Sequence, residues 1–507
     1  MPALRSAPLI VVLMALAALA MLVPAAHALT LRDHDTARAF FYGGVILLIL
    51  TAMLGLATAN RPPPREARDQ LGALVGAYLL LPPMLALPVT LAVRDTSFTN
   101  AWFEMLSAFT TTGATLYDTP GRLPASVQLW RALVGWLGGF FMLTAATAVL
   151  APLSLGGMEV LSGHVPGREE TGQSLRRAAP SARLLRQSLA LFPAYAGLTG
   201  LLWALLALAG EGGLAALCHA MGTLSTSGIA AGPGTVGSGE NGGAGLAGEV
   251  LVALFLCLAL SRRLVPGLAM LDRDQPLLRD PEIRLAGFIL IAVPGALFLR
   301  HWIGAIETED SRNLLAAARA MWGGLFTTLS FLTTTGFQSA EWQTARSWSG
   351  LGTPGMILLA LAIIGGGVAT TAGGVKLLRV HALLRHGERE LERIVHPNSI
   401  GGQGALARRL RGEGAYVAWI FFMLFAFSIA TVTAGLTLAG LGFEPAMVLA
   451  IAALTTTGPL ADLAAAAPIR WADLGPLAKI IAGAAMVVGR IETLAILALL
   501  VPGGWRR

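Results

Sequence analysis

Charge is scarce in this chain. Only 13% of its 507 residues are Asp, Glu, Lys or Arg, while 55% are hydrophobic and the mean hydropathy is +0.67. That balance excludes a soluble enzyme and points to a polytopic membrane protein. Lysine is nearly missing: Lys376 and Lys479 are the only two among 36 basic residues, a compositional bias without chemistry of its own. Cysteine is as sparse. Cys218 and Cys257 both lie in apolar sequence without metal-ligand spacing, so they read as buried packing residues. The net charge of +7 does not imply a nucleic-acid partner, because the arginines gather in the connections between apolar runs. The chain carries no nucleotide-binding signature.

Against these absences stands one repeated stretch. Phe331-Leu332-Thr333-Thr334-Thr335-Gly336-Phe337 has three relatives: Phe109-Thr110-Thr111-Thr112-Gly113-Ala114, Leu224-Ser225-Thr226-Ser227-Gly228-Ile229 and Leu454-Thr455-Thr456-Thr457-Gly458-Pro459. Their glycines are 115, 108 and 122 residues apart, each loop between two long apolar segments, which indicates a unit repeated four times. A single copy would be an ordinary helix end and turn. Four in register require a common purpose.

Inside a membrane, irregular backbone persists only where protein buries it or where it lines a water-filled path. Small hydroxyl residues followed by Gly can run extended with their carbonyls to one side, Gly supplying a positive φ. Four such loops around one axis would stack oxygen rings able to replace a cation's hydration shell. The short helix before each loop would aim its negative C-terminal end at the same cavity.

Taken in order, residues 8–29 read as a first transmembrane helix paired with a second at 39–59; the rival is a signal peptide ending Pro-Ala-Ala-His-Ala. Arg61-Pro-Pro-Pro-Arg65 marks a loop. Four units follow. Their outer runs are 71–93 and 127–155 around Trp102–Tyr117, 187–210 and 247–270 around His219–Ala230, 283–302 and 350–384 around Ala320–Gln338, and 414–441 and 474–501 around Pro445–Asp462. The expected fold is an all-α polytopic membrane protein with four pseudo-symmetric helix–pore loop–helix repeats around one pore, plus two N-terminal transmembrane helices. Its domains are 1–66, then repeats at 67–165, 166–275, 276–400 and 401–507, giving ten spanning helices. Arg5, segments 61–68, 168–186, 262–284 and 376–411, and the C-terminal pair hold 24 of the 36 basic residues. That side is cytoplasmic, so the loops open outward. The second outer region, 211–247, has no Lys or Arg, is rich in Gly and reads as flexible.

With these features in hand the sequence resembles the Trk/Ktr/HKT superfamily of K⁺ transporters, and within it the bacterial TrkH-type subunits. Beyond the loops the resemblance rests on Trp130-Arg131-Ala132 through Gly138-Gly139, Leu155-Gly156-Gly157-Met158, Ile364–Lys376, Arg389-Glu390-Leu391 through His396-Pro397-Asn398, and Gly489-Arg490-Ile491-Glu492. It implies K⁺ uptake across the bacterial cytoplasmic (inner) membrane, with no cofactor in this chain. K⁺ would be held by backbone carbonyls of a filter formed from Thr111, Thr112, Gly113, Thr226, Ser227, Gly228, Thr334, Thr335, Gly336, Thr456, Thr457 and Gly458. Glycine in all four repeats is similar to the K⁺-selective pattern; Ser in the first is associated with Na⁺ transport in some plant relatives. The second loop, TLSTSGIAAG, departs in being shorter and lacking a Gly-Gly-Phe ending. The resemblance also implies a homodimer with one pore per chain, and a cytosolic nucleotide-binding, TrkA-like ring that controls opening.

Other residues bear on mechanism. Gly365–Gly374 puts five glycines and two threonines (Gly365, Gly366, Gly367, Thr370, Thr371, Gly373, Gly374) in mid-span. Glycine costs about 1 kcal/mol each in a helix, so the segment should unwind; a Gly-lined helix contact is the alternative. Just inside the loops it would be a movable constriction, and the resemblance gives it a gating role. Arg490 is a charge in an apolar helix, placed to repel cations or donate to the Gly-rich segment's carbonyls. It does not pair with Glu492, since i and i+2 do not face each other. Glu104 is expected to accept backbone N–H groups behind the first loop or to add negative potential. Asp118, Glu341 and Asp462 ring the outer mouth or are simply solvated. His219 reads as packing, and Arg379–Ile394 as a cytoplasmic helix with a docking or dimer surface. Two other functions compete: the conducting subunit of an ATP-driven K⁺ pump, and an intramembrane serine hydrolase using Ser227. Neither explains more than the first reading, and the second leaves the fourfold repeat without a role.

Overall fold

The computed structural model describes residues 8–59, 67–117, 120–162, 180–231, 235–236, 243–266, 276–305, 314–349, 355–396, 413–465 and 467–500. The Arg61–Arg65 loop, Asp118, the C-terminal arginines and, of the basic segments 168–186 and 376–411, residues 168–179 and 397–411 lie outside the described residues.

The chain starts with helices Leu9–Ala20 and Leu22–Thr30, then His34–Thr58, whose N-terminus Asp33 caps by accepting the Thr36 N–H. Met14, Ala17, Ala18 and Met21 are buried, and His27 Nδ1 hydrogen-bonds Ser126 Oγ at 2.8 Å. The first segment is therefore an integral part of the bundle, packed on the first repeat.

Each repeat then supplies a leading helix, a pore helix, a loop and a trailing helix. The leading helices are Ala67–Ala92, Pro180–Leu208, Pro281–Ala305 and Glu413–Leu438. Prolines inside the first three (Pro82, Pro83, Pro88, Pro193, Pro294) remove backbone donors, which packed membrane helices tolerate. Their outward faces are apolar and exposed (Leu79, Leu87, Leu201, Phe288, Phe427), as contact with lipid requires. The pore helices are Phe98–Phe109, Gly213–Leu224, Leu314–Leu332 and Phe443–Leu454. Three of them are 12 residues long, about 18 Å, too short to cross.

The packing has fourfold logic. Every pore helix packs on its own leading helix and on the trailing helix of the preceding repeat, the first against the fourth repeat's. That closes the circle.

Seven helices are long and apolar enough to cross a membrane among the described residues. The other three expected spans are broken. The second trailing helix stops at Leu256 with a 3-10 turn, Cys257–Ala259. The freed Ala259 carbonyl accepts the Gly367 N–H at 2.9 Å and the Thr370 hydroxyl at 3.2 Å. The third trailing helix, Gly355–Ile364, gives way to the glycine-rich segment before Leu377–Val395. The fourth, Pro476–Ile491, breaks at Glu492 (φ 77°) before Thr493–Leu500. The first keeps its length, Ala125–Ala145, but passes through a π-helical turn at Ala146–Leu150. The Gly-rich outer region is not wholly irregular: Thr235–Val236 pair in parallel with Gln338–Ser339, the one strand pairing among the described residues.

Candidate ion pathway

The four pore helices end alike. The first hydroxyl residue of each loop (Thr110, Ser225, Thr333, Thr455) donates back to the carbonyl one turn earlier at 2.8, 2.7, 2.9 and 2.8 Å. The second (Thr111, Thr226, Thr334, Thr456) is left-handed, with φ of 55°, 52°, 57° and 54°. Threonine rarely adopts this conformation, and it persists only where surroundings enforce it. They do so through the third residue. The N–H groups of Thr112, Ser227, Thr335 and Thr457 reach back to Ser107, Gly222, Ser330 and Ala452 carbonyls at 2.8, 2.9, 2.9 and 2.8 Å. Their hydroxyls bond the first hydroxyl of the same loop at 2.8, 2.9, 3.0 and 3.3 Å. Hence the shorter second loop keeps the backbone register of the other three.

The glycines lock the loops together. A Cβ on Gly113 would lie 2.0 Å from the Ser227 carbonyl oxygen; on Gly228, 2.1 Å from that of Thr335; on Gly336, 2.9 Å from Pro459 Cγ; and on Gly458, 2.2 Å from the Ala114 nitrogen. Each loop thus abuts the next in the order 1–2–3–4–1, and the Gly458 N–H donates to Thr112 O at 2.6 Å. Positive φ holds at Gly113 (71°), Gly228 (63°) and Gly336 (83°) but not at Gly458, where close approach alone demands glycine. The trailing helices use the same device. Gly138 and Gly489 seat against the carbonyls that end pore helices one and four, where a Cβ would come within 2.1 Å of each.

Glu104, buried behind the first loop, accepts the Leu116 N–H at 3.0 Å and pairs with Arg131 at 2.6 Å. The backbone-acceptor expectation is met, and Arg131 offsets its charge. Glu341 sits 3.9 Å from Arg319, and Asp462 is exposed on the short helix after the fourth loop. His219 is more than packing: its Nδ1 hydrogen-bonds Glu211, and its ring meets Phe337 edge-on at 5.5 Å. Ser227 Oγ accepts from Ser225 at 2.9 Å, so no nucleophile–base pair links Ser227 to His219.

Gly365–Gly374 is unwound and buried. Gly365 (φ 73°) folds against Gly373, whose carbonyl a Cβ would approach to 2.2 Å. The segment touches the loops directly: the Gly373 N–H donates to Thr334 Oγ1 at 2.7 Å, and Thr371 Oγ1 to Leu224 O at 3.3 Å. It is held from below by the Val368 N–H on Glu282 at 2.7 Å and by Lys376 Nζ on the Ala372 carbonyl. Arg490 Nη1 donates to Thr371 O at 2.6 Å, while its Nε and Nη2 have no hydrogen-bond partner among the described residues.

Sequence reasoning missed the charged layer beneath. Fully buried Arg379 bonds Glu159 at 2.6 Å and Glu492 at 2.7 Å, and its guanidinium lies 3.6 Å from the Phe421 ring centroid. This joins the ends of repeats one, three and four. The signal lay in the motifs Leu155–Met158 and Gly489–Glu492, each ending at or beside a carboxylate. Gly157 in the first leaves room for Val368, whose Cγ2 would be 2.4 Å from a Cβ there.

These features define a class: a multi-pass membrane transporter of four helix–loop–helix repeats about one axis. The chain belongs to the TrkH family of cation transport proteins, whose family model matches residues 36–237 and 293–503. It is 28% identical to the Trk system potassium uptake protein TrkH of Vibrio parahaemolyticus over 97% of both chains. It is 26% identical to TrkG of Escherichia coli K12 over 96% of both. The crystal structure of the Vibrio parahaemolyticus potassium transporter TrkH superposes with a TM-score of 0.79, 26% identity and full coverage of both chains.

Proposed function

We propose that this protein takes up K⁺ across the bacterial cytoplasmic membrane, down its electrochemical gradient, through the ring of four loops. The observation that carries the reading is the closed ring itself. Four pore helices end on it, and their C-terminal partial negative charge favours a cation. The backbone carbonyls of Thr111–Gly113, Thr226–Gly228, Thr334–Gly336 and Thr456–Gly458 are the proposed ligands, replacing water around the ion. The ion is K⁺ because relatives alike over nearly the whole length are potassium uptake proteins.

Gly365–Gly374 is the proposed gate. It lies against Thr334, and Arg490 pins it through Thr371 while placing a positive charge beside the path. The exposed face of Leu377–Val395, continuous with that segment, is the proposed dock for a cytosolic nucleotide-binding partner, and the family resemblance extends to a homodimer.

The test is radioactive Rb⁺ uptake into proteoliposomes holding the purified chain and an internal K⁺ load. Uptake competed by external K⁺ far better than by Na⁺ is expected. Equal competition by both ions, or no uptake from protein whose gate segment has been deleted, would overturn the reading.

A further inference from the structure

An apolar cavity of about 350 Å³ lies away from the pathway, between helix Leu9–Ala20, the first leading and trailing helices and the second leading helix. Its walls are aliphatic and aromatic, with Ser188 and Thr144 the only hydroxyl groups. Along the second leading helix it runs from Leu184 to Phe192, a rise of about 12 Å. Both Leu9–Ala20 and this helix enter from the basic, cytoplasmic side, so the cavity occupies the inner-leaflet half of the bilayer. Its volume sits at the small end of ligand pockets, about 300–1,000 Å³, which suits one chain and not a whole lipid.

Two features select the occupant. The cavity opens between membrane spans, where the surrounding medium is acyl chain. At its cytoplasmic end Arg183 Nη2 donates to Gln70 at 3.2 Å, linking the first and second leading helices. Arg183 Nε is buried without a hydrogen-bond partner among the described residues, and Arg186 beside it is exposed. This puts cationic groups at headgroup depth above an apolar slot.

We propose that the cavity binds one acyl chain of an anionic phospholipid of the inner leaflet, its phosphate on Arg183 and Arg186. The chain's end meets Phe109, the last residue of the first pore helix. Phe109 stacks on Phe141 at 5.8 Å and contacts Tyr78 at 5.0 Å between ring centroids. An occupied cavity braces the back of the first loop from the lipid side. Binding does not depend on the loops being an ion filter; only its effect on flux does.

The test uses the full chain, exchanged into vesicles of equal phosphatidylcholine and phosphatidylglycerol, then extracted for native mass spectrometry. One phosphatidylglycerol per chain is expected to persist, preferred at least tenfold over phosphatidylcholine. Ser188→Trp, which fills the slot from the lipid-facing side, abolishes retention, and Leu13→Trp does so from the N-terminal helix should the first variant misfold. Arg183→Gln keeps a lipid but loses the headgroup preference. Rb⁺ flux rises with phosphatidylglycerol in the parent chain and not in Ser188→Trp. No retained lipid, unchanged retention in the filled variants, or equal retention of both lipids overturns the proposal. Retention without Rb⁺ flux anywhere would instead defeat the proposed function and leave the lipid site standing.

Discussion

Gly113→Ala and Gly336→Ala make the same chemical change at equivalent positions of the proposed filter, yet the structure predicts unequal outcomes. A Cβ on Gly113 falls 2.0 Å from a backbone oxygen, that of Ser227. Carbon–oxygen contacts sit at about 3.3 Å, so more than 1 Å must be absorbed between loops one and two. Neither loop can yield alone. Thr112 and Ser227 are tied back to their own pore helices, and Thr112 O also holds Gly458. On Gly336 the neighbours are Pro459 Cγ and Cδ at 2.9 and 3.0 Å. Carbon pairs rest at about 3.5–4.0 Å, so the deficit is smaller, and a proline ring can pucker where a locked carbonyl cannot move. Both variants add left-handed strain of roughly 1–2 kcal/mol, which the comparison cancels. Gly113→Ala should therefore cut Rb⁺ uptake and K⁺-over-Na⁺ preference by about tenfold or more, the equivalent of about 1.4 kcal/mol, with Gly336→Ala clearly milder. The assay is paired Rb⁺ uptake and Na⁺ competition in proteoliposomes, with matched insertion. Parental preference in Gly113→Ala, or the reverse ranking, would refute the ring as the selective element.

Further outcomes concern the gate and the charges below it. Arg490→Ala and deletion of residues 368–372 should each raise Rb⁺ flux through the purified chain alone, and together give less than the sum, because Arg490 acts on the segment through Thr371; strictly additive gains would separate them. Arg379→Met removes the guanidinium that neutralises the buried carboxylates of Glu159 and Glu492, about 3–5 kcal/mol of destabilisation seen as a lower melting temperature in detergent, whereas the triple change Arg379→Met, Glu159→Gln, Glu492→Gln should recover most of it. A single variant as stable as the parent would show that the three do not form a unit.

The repeat, the loops and the glycine-rich break were legible because each leaves a local mark: a tetrapeptide at regular spacing, or glycines where a helix should continue. The loop conformation was only half legible. Positive φ at the glycines follows from residue type, but at Thr111, Thr226, Thr334 and Thr456 it arises from bonds to the preceding pore helix that no local rule encodes. The exemption of Gly458 is likewise invisible without the neighbouring loop. Two of the ten expected spans, 247–270 and 474–501, read as continuous apolar runs, and it took the partners of Ala259 and Glu492 to show where they end. Partnerships across more than 100 residues, such as Arg379 with Glu159 and Glu492, leave no spacing to find. Glu211 lies only eight residues before His219, but the turn into the second pore helix, and not a helical spacing, brings it onto the His219 ring.

The same bonds decide which part of the pathway can move. The ring is fixed by backbone contacts between loops that close on themselves, so opening it means separating repeats. The glycine-rich segment is attached to its surroundings mainly through single hydrogen bonds: Gly367 and Thr370 to Ala259, Val368 to Glu282, Thr371 to Leu224, Gly373 to Thr334, and Arg490 to Thr371. Neutral bonds contribute about 0.5–1.5 kcal/mol net and those to the charged Glu282 and Arg490 about 1.5–3 kcal/mol each, so releasing all six costs on the order of 8 kcal/mol. Moving a two-state element from almost always closed to almost always open takes about 5.5 kcal/mol of differential binding. One docking partner can supply that if it favours the released state. The place to pull is Leu377–Val395, which continues directly from the segment and carries Arg379 in its first turn. A pull on this helix strains the Glu159 and Glu492 pairs before it reaches Gly373. If the glycine-rich segment is the gate proposed above, the charged triad would set the force at which it yields, while the inter-loop contacts would hold the ring above it closed.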